Sequence, residues 1–315
     1  MTATNVTRAS DDYYPARPAS WLAHVPNCAY VSLLLGEVAI CDWDMFHSQH
    51  SAAALHAAAR AVSGGPVYVS DRPGRHDFPL LRRLVLADGG VLRARLPGRP
   101  TADCLFADVS RDGATALKVW TMNAVNGVVG VFNVQGSAFD RRRRAFYTHD
   151  AAPGALGAEV RPRDVPPLAA AADRFALWSD ARRVLTLAGA AGPGLALRVA
   201  GGGGHDVVTV APVQEAAGVL FAPIGLVDML NAGGAVLASA FAPAEGGNNG
   251  GDGCAPVAAL RVRGAGAFAC YASHRPARVA VAGADAPFEY DAAQGLLRFE
   301  LPAEELGARD AAVHF

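Results

Sequence analysis

The sequence predicts an α/β part followed by an all-β part: the C-terminal remnant of a (β/α)8 barrel over residues 1–100, then an antiparallel β-sandwich domain over residues 101–315. Apolar and alanine-rich segments alternate in the first part, and polar residues follow the apolar segments, as they do at one end of such barrels. Short β-rich segments between Gly, Pro and Asn turns fill the second part. A complete barrel takes roughly 250 residues, so only its last units fit before residue 100.

The first part is predicted to contain two strands and two helices. The apolar run at residues 30–35 is typical of a parallel strand covered on both faces, and residues 42–44 mark its polar end. Alanine-rich sequence favours a helix that starts near Ser48 and stops at Gly64. The predicted elements are a strand at 27–40, a helix at 48–62, a strand at 66–71 and a helix at 77–86.

A connector rich in Pro, Gly and Arg, at residues 93–104, places the predicted domain boundary near residue 100. Beyond it, β-branched and aromatic residues recur in short segments bounded by turn residues, which indicates an antiparallel arrangement. Strands are predicted at 116–120, 127–134, 184–187, 207–210, 257–262, 267–272 and 296–301.

The composition excludes several classes of partner. The formal net charge is −1, which provides no electrostatic footprint for nucleic acid or an anionic membrane. The N-terminus has no apolar segment of a secretory signal, and no apolar run reaches the length of a membrane span, so we expect a cytoplasmic protein. The five cysteines lack Cys-x-x-Cys spacing and predict reduced thiols without a zinc site: Cys28, Cys41, Cys104, Cys254 and Cys270.

Two short segments combine acids with aromatic rings. Residues 8–15 hold Arg8, the adjacent carboxylates Asp11 and Asp12, and two tyrosines, and residues 40–46 hold an Asp-Trp-Asp sequence. Carboxyl pairs beside stacking surfaces are typical of sites that cleave sugars. The alternative from the residues alone is structural: acids that cap turns or helices, and aromatic rings that pack in a core.

These segments resemble the plant raffinose synthase, seed imbibition protein and alkaline α-galactosidase family, glycoside hydrolase family 36, and match its C-terminal portion only. The resemblance extends over most of the chain, and its motifs are long. They lie at residues 8–15, 42–48, 64–71, 84–86, 96–101, 103–106, 127–133 and 221–227.

The resemblance implies a retaining double displacement with two carboxyl groups, a nucleophile in a Lys-x-Asp motif and an acid/base in an Arg-x-x-x-Asp motif. Arg8 and Asp12 have the second spacing, so Asp12 is the expected acid/base and Asp11 is the competing candidate. The residues expected to contact the substrate are Asp42, Trp43, Asp44 and Asp71.

The implied activity is α-galactosyl transfer from galactinol to sucrose, and the alternatives are hydrolysis of raffinose-type oligosaccharides or a non-catalytic fragment. Lys118 is the only lysine and is followed by Val119 and Trp120, so the chain contains no Lys-x-Asp motif. We therefore expect the nucleophile strand to precede this sequence in a larger enzyme, and the isolated chain to be inactive. The expected partners are galactinol, sucrose and raffinose; no cofactor or metal is implied, and the oligomeric state is left open.

Overall fold

The computed structural model describes residues 5–243, 255–303 and 307–315, and within these ranges it is mostly β-sheet with three α-helices. Among the described residues there is no closed barrel. The elements of the first hundred residues are β1 (Val6–Arg8), α1 (Pro18–Leu35), β2 (Ile40–Asp42), α2 (Ala53–Ala61), α3 (Phe78–Leu81) and β3 (Arg99–Pro100).

Parallel pairing joins the first two strands. β1 lies beside β2 with Val6 opposite Ile40 and Arg8 opposite Asp42. An isolated parallel bridge connects Phe46 with Val69. Since paired parallel strands end at the same edge of a sheet, Arg8 is brought next to Asp42 although 34 residues separate them.

The strand predicted at 27–40 is wrong, because most of this segment belongs to helix α1. In a short apolar run, the spacing of apolar residues does not distinguish a buried strand from a helix that is buried on most sides. α1 is such a helix, because apolar residues occur around much of its surface. Pro18 occupies the first turn of the helix, where the missing amide proton is tolerated. The true strand, β2, follows the helix and is only three residues long.

The two helices predicted in the first part are confirmed in shortened form. Helix α2 lies inside the predicted range 48–62, and α3 inside 77–86. Asp77 caps α3 by accepting a hydrogen bond from the Leu80 amide at 3.0 Å. The strand predicted at 66–71 is wrong, since this segment contributes only an isolated bridge at Val69.

Antiparallel strands dominate the second part, and all seven strands predicted there are present. They are accompanied by strands that the sequence analysis did not predict. The strands are β4 (Leu117–Met122), β5 (Gly127–Phe132), β6 (Ser137–Asp140), β7 (Ala145–Thr148), β8 (Leu156–Val160), β9 (Arg174–Ser179), β10 (Val184–Gly189), β11 (Leu195–Val199), β12 (His205–Pro212), β13 (Gln214–Ala216), β14 (Val219–Leu226), β15 (Val236–Pro243), β16 (Pro256–Arg263), β17 (Gly266–Ala272), β18 (Arg278–Val281), β19 (Ala284–Asp285), β20 (Phe288–Asp291), β21 (Leu296–Leu301) and β22 (Ala308–His314).

Among the described residues these strands, together with β3, form three larger sheets and two antiparallel pairs. A six-stranded sheet has the order β10-β9-β12-β5-β4-β3, and β6 pairs with β7 and β8 with β11. Two five-stranded sheets follow, with the orders β13-β14-β17-β21-β20 and β15-β16-β22-β18-β19. The two five-stranded sheets bury a common core, to which Phe268 of one sheet and Val313 of the other contribute.

The core of the first part also reaches into the second. Val25 of α1 and Leu55 of α2 are buried in the same cluster as Leu117 of β4 and Phe132 of β5. The α-helical layer is thus packed on the six-stranded sheet, and this packing fixes the turns that follow β1 and β2. None of the described helices is both long enough and apolar enough to cross a bilayer.

Candidate functional site

Three of the carboxylates predicted to form the site converge on the guanidinium group of Arg8. Arg8 Nη1 lies 3.1 Å from Asp12 Oδ1, Nη2 lies 3.0 Å from Asp44 Oδ1, and Nε lies 3.5 Å from Asp42 Oδ2. The parallel register of β1 and β2 places Arg8 beside Asp42, and the turn after each strand supplies the other two carboxylates. We refer to Arg8, Asp12, Asp42 and Asp44 as the Arg8 cluster.

The carboxylates of the Arg8 cluster differ in exposure. The Asp12 side chain is 73% exposed, whereas that of Asp44 is 5% exposed. Asp44 Oδ2 accepts a hydrogen bond from the Tyr13 amide at 2.6 Å, and Oδ1 accepts one from the Met45 amide at 2.8 Å. Asp44 is therefore fixed by the backbone, while Asp12 faces solvent.

Asp44 has a left-handed backbone conformation with φ 65°. Among residues with a side chain, Asp and Asn adopt this region most readily, because their short polar groups bond to the local backbone. Here Asp42 Oδ1 accepts from the Asp44 amide at 2.8 Å. The Asp-x-Asp sequence thus builds the tight turn that aims the Asp44 carboxylate at Arg8.

Sequence reasoning missed Tyr68 as a member of this site. Its Oη donates toward both oxygens of Asp42, at 3.0 and 2.8 Å. Partial burial, together with Asp42, raises the pKa of Tyr68 to about 12, so the phenol remains a proton donor at neutral pH. Tyr68 belongs to the sequence motif at residues 64–71, but only the tertiary fold shows that its side chain faces Asp42 on β2.

The competing acid, Asp11, makes no ion pair among the described residues. Desolvation raises the pKa of Asp11, and hydrogen bonds from its own backbone and from Asn27 oppose that rise. Its carboxyl group lines an open crevice of about 780 Å³ between α1 and the β6–β7 hairpin, which Arg8 also lines. The crevice places Asp11 beside a volume that suits a bound ligand.

Aromatic rings form one wall of this crevice. Phe139 on β6 is 43% exposed, and its ring meets that of Phe146 on β7 at 5.1 Å in an edge-on arrangement. Tyr14 lies next to Phe146, with ring centroids 6.2 Å apart. Aromatic rings therefore extend from the segment that carries Asp11 and Asp12 to the paired strands of the hairpin.

Trp43 and Asp71 lie outside the Arg8 cluster. Trp43 is fully buried, and its Nε1 donates to Ser32 Oγ at 3.1 Å, so its ring has no free face for a sugar; this is the packing alternative left open by the sequence. Asp71 accepts from the amide and hydroxyl of Ser48 at 2.8 and 2.6 Å and pairs with His76 at 3.1 Å. Burial opposes ionisation of Asp71, yet the bonds from Ser48 and His76 hold its pKa below the usual range.

No group of three or more metal-ligating side chains is present in the described ranges. The described cysteines, Cys28, Cys41, Cys104 and Cys270, are free and buried, whereas Cys254 lies outside the described residues.

Comparison with known proteins identifies the family. The family model described as raffinose synthase or seed imbibition protein Sip1 matches residues 1–301. A relative from Arabidopsis thaliana named "Probable galactinol--sucrose galactosyltransferase 6" is 44% identical over 305 residues, which are 94% of this chain and 39% of the relative.

Two further relatives extend the comparison. A galactinol–sucrose galactosyltransferase from Oryza sativa subsp. japonica is 41% identical over 95% of this chain and 39% of its own length. A stachyose synthase from Pisum sativum is 31% identical over 98% of this chain and 37% of its own length. The chain thus spans about two-fifths of the length of these relatives. The family model and these identities confirm the resemblance carried by the motifs, and the chain belongs to the raffinose synthase or seed imbibition protein family.

Proposed function

We propose that this chain carries the acid/base part of a retaining α-galactosyl transfer from galactinol to sucrose. The observation that carries the proposal is the convergence of Asp12, Asp42 and Asp44 on Arg8 at one edge of the paired strands β1 and β2, with Asp11 alongside. The names of the relatives support the substrate class. The parallel β1–β2 pair and the parallel Phe46–Val69 bridge support the further proposal that residues 1–100 are a barrel remnant.

In the proposed reaction the nucleophile carboxylate bonds to the galactosyl carbon while a protonated carboxyl gives its proton to the oxygen that leaves that carbon. The resulting carboxylate then takes the proton from the sucrose hydroxyl that attacks the galactosyl-enzyme intermediate. Spacing in the sequence favours Asp12 for this role, whereas the described contacts favour Asp11. A donor of protons benefits from a raised pKa and from freedom from ion pairs, and Asp11 combines both features.

The remaining groups suit recognition of a sugar. Asp42 and the hydroxyl of Tyr68 are partly exposed polar groups beside the acids, and carboxylates accept readily from pairs of sugar hydroxyls. The crevice walled by Phe139 and Phe146 supplies the apolar surface on which a pyranose ring stacks. We propose that the oligosaccharide enters along this crevice.

The proposed nucleophile comes from a Lys-x-Asp motif that these 315 residues do not contain. The experiment therefore uses a chimera in which this chain replaces the matched segment of the rice relative, called the rice chimera below. The chimera should form raffinose from galactinol and sucrose, while the chain alone should form none. Release of free galactose without raffinose would identify hydrolysis as the reaction.

Two substitutions test the acid/base in the rice chimera. Asp11→Asn is expected to reduce transfer by about 10²–10⁴-fold, the usual contribution of a positioned acid/base, and by less on a donor whose leaving group needs no proton. Asp12→Asn is expected to have the smaller effect. Asp173→Asn, a change at an exposed aspartate remote from the site, is the matched control. Full transfer in both the Asp11 and the Asp12 variant would overturn the proposal.

A further inference from the structure

A buried arginine holds the turn that carries Asp44. Arg60 on α2 is 1% exposed. Its Nη2 donates to the carbonyl oxygens of Trp43 at 2.7 Å and Met45 at 3.1 Å, and its Nε donates to that of Asp44 at 3.2 Å. Three consecutive carbonyl groups are thus gathered around one guanidinium group.

The other neighbours of Arg60 are histidines. Its Nη1 lies 2.7 Å from Nδ1 of His56, and its Nη2 lies 3.3 Å from Nε2 of His24. No ion pair among the described residues includes Arg60. The buried cation is therefore compensated by carbonyl dipoles and by neutral imidazole.

The geometry requires His56 to be neutral. A guanidinium group only donates, so Nδ1 of His56 must present its lone pair to Arg60. Protonation of that nitrogen would set two donors against each other. For His24, protonation would place a second cation 3.3 Å from Arg60 while leaving its contact with the Trp43 carbonyl at 3.0 Å.

The same turn positions the candidate site. Arg60 holds the carbonyl groups of residues 43–45 on the core side of the turn. On the other side, the carboxylate of Asp44 accepts from the Tyr13 amide and pairs with Arg8. Arg8 in turn pairs with Asp12. A continuous path of direct contacts therefore runs from Arg60 to the acidic pair.

We propose that Arg60, His24 and His56 form a proton-sensitive clamp on the turn of residues 43–45, with Arg60 acting as a positioning residue for the Arg8 cluster. In the closed clamp Arg60 bonds to the three carbonyl groups, and in the open clamp these bonds are lost. Protonation of either histidine opens the clamp and frees Asp44 from its place beside Arg8. The consequence for catalysis rests on the proposed function, whereas the clamp itself does not.

The electrostatic surroundings of the two histidines favour their neutral form. Burial, followed by the charge of Arg60, lowers the pKa of His24 to about 4 and that of His56 well below its usual value. The nearby carboxylate of Asp44 acts in the opposite direction on His24 but does not outweigh these effects. The titratable or charged groups that face the pair, besides Arg60, are Arg8, Tyr13, Cys28, Asp42, Asp44 and His50.

The sign of the pH effect follows from these pKa values. A histidine in the open clamp titrates near its ordinary pKa of about 6.5, above the value in the closed clamp. The closed form is therefore fully favoured above about pH 6.5 and loses its advantage as the pH falls toward the pKa of about 4 that His24 has there. Each histidine raises the ratio of open to closed clamp by up to about tenfold per pH unit in this window.

The test uses the full chain labelled with 5-fluorotryptophan and observed by ¹⁹F NMR. Trp43 reports on the clamp because it lies in the held turn, and Trp178 reports on global structure because it is buried in a separate core. We expect the Trp43 resonance to move between about pH 8 and pH 5 while the Trp178 resonance stays in place. The double variant His24→Gln/His56→Gln keeps a neutral acceptor beside Arg60 and should abolish this movement.

The conservative variant Arg60→Lys keeps the charge but loses the fork of donors, so it should displace the Trp43 resonance already at about pH 8. Arg82→Lys, at an exposed arginine next to α3, should leave both resonances unchanged. The proposal is overturned if Trp43 and Trp178 move only together, or if Arg60→Lys leaves Trp43 in place. A chimera that forms no raffinose at any pH would refute the proposed function but leave this result standing.

Discussion

Two arginines act on opposite sides of one aspartate. Arg8 approaches the side chain of Asp44 from the surface, and Arg60 approaches its carbonyl group from the core. The first arginine is compensated by carboxylates, and the second by carbonyl groups and neutral histidines. Asp44 also has a left-handed backbone, and both arginines contact the turn that contains it.

Lys118 is another buried cation, like Arg60, and its replacement tests how much one residue contributes to stability. Its Nζ lies 2.7 Å from Asp164 and 2.9 Å from Asp103, and it donates to the carbonyl group of Glu159 at 3.0 Å. Desolvation opposes its charge, but the two aspartates outweigh that and raise the pKa of Lys118. The only lysine of the chain therefore ties β4 to the segment around residue 164.

Lys118→Met should lower the free energy of unfolding by about 3–5 kcal/mol, because it leaves Asp164 buried without its cation. Urea denaturation near pH 7 measures the loss. Arg261→Met is the matched control, since Arg261 pairs with Asp310 on the exposed face of a sheet and should contribute less than about 1 kcal/mol. Equal losses in the two variants would show that burial does not set the strength of the Lys118 pair.

At the scale of elements, the antiparallel strands were the easiest to predict. β16 alternates between buried and more exposed residues, and β21 does so from Leu297 onward, so their period of two is visible in the sequence. α1 was mistaken for a strand because its apolar residues surround the helix, which removes the period of 3.6 residues. Its identity as a helix is set by packing against the β6–β7 hairpin and the six-stranded sheet, which no local pattern contains.

The candidate site also contains residues that a sequence motif indicates and residues that only the fold brings into contact. The Arg-x-x-x-Asp spacing singled out Arg8 and Asp12 in the sequence, and the structure places the two side chains 3.1 Å apart. Tyr68 and Arg60 were missed because neither belongs to a pattern of acids, and both reach the site only through the fold. The catalytic assignment of Asp11 or Asp12 stays a prediction until the variants are assayed.

The β6–β7 hairpin is the element that we expect to bind the sugar. In the rice chimera, Phe139→Ala should raise the KM for sucrose by about five- to tenfold with little change in kcat, because a lost stacking surface removes about 1 kcal/mol of binding. Steady-state kinetics at saturating galactinol measure this effect.

Phe78→Ala provides the control for that measurement. Phe78 is an exposed aromatic residue on α3 that does not line the crevice, so its removal should leave the KM for sucrose unchanged. A normal KM in the Phe139 variant, or an equal rise in both variants, would remove the hairpin from the proposed sugar site.

On the scale of the whole molecule, the predicted boundary near residue 100 separates two kinds of topology but crosses a common core. Leu55 and Val62 on one side of it pack in the same cluster as Val119 and Phe132 on the other. Arg83 also bonds to both carboxylate oxygens of Asp180 at 2.6 Å across that boundary. The division at residue 100 remains a proposal about architecture, and the shared core indicates that the two parts unfold together.

Phe132→Ala tests this coupling. Phe132 is fully buried on β5, and its truncation should lower the free energy of unfolding by about 3–5 kcal/mol through lost burial and a residual cavity. Because the same cluster contains α2, amide hydrogen exchange should accelerate in α2 as well as in β4 and β5. Hydrogen–deuterium exchange resolved by peptide measures both effects.

Phe299→Ala is the matched control, because Phe299 is buried in the separate core between the two five-stranded sheets. Its truncation should accelerate exchange in β17 and β21 before α2 is affected. If α2 keeps its native exchange rate in the Phe132 variant, the shared cluster transmits no stability across residue 100, and the two parts are energetically separate domains.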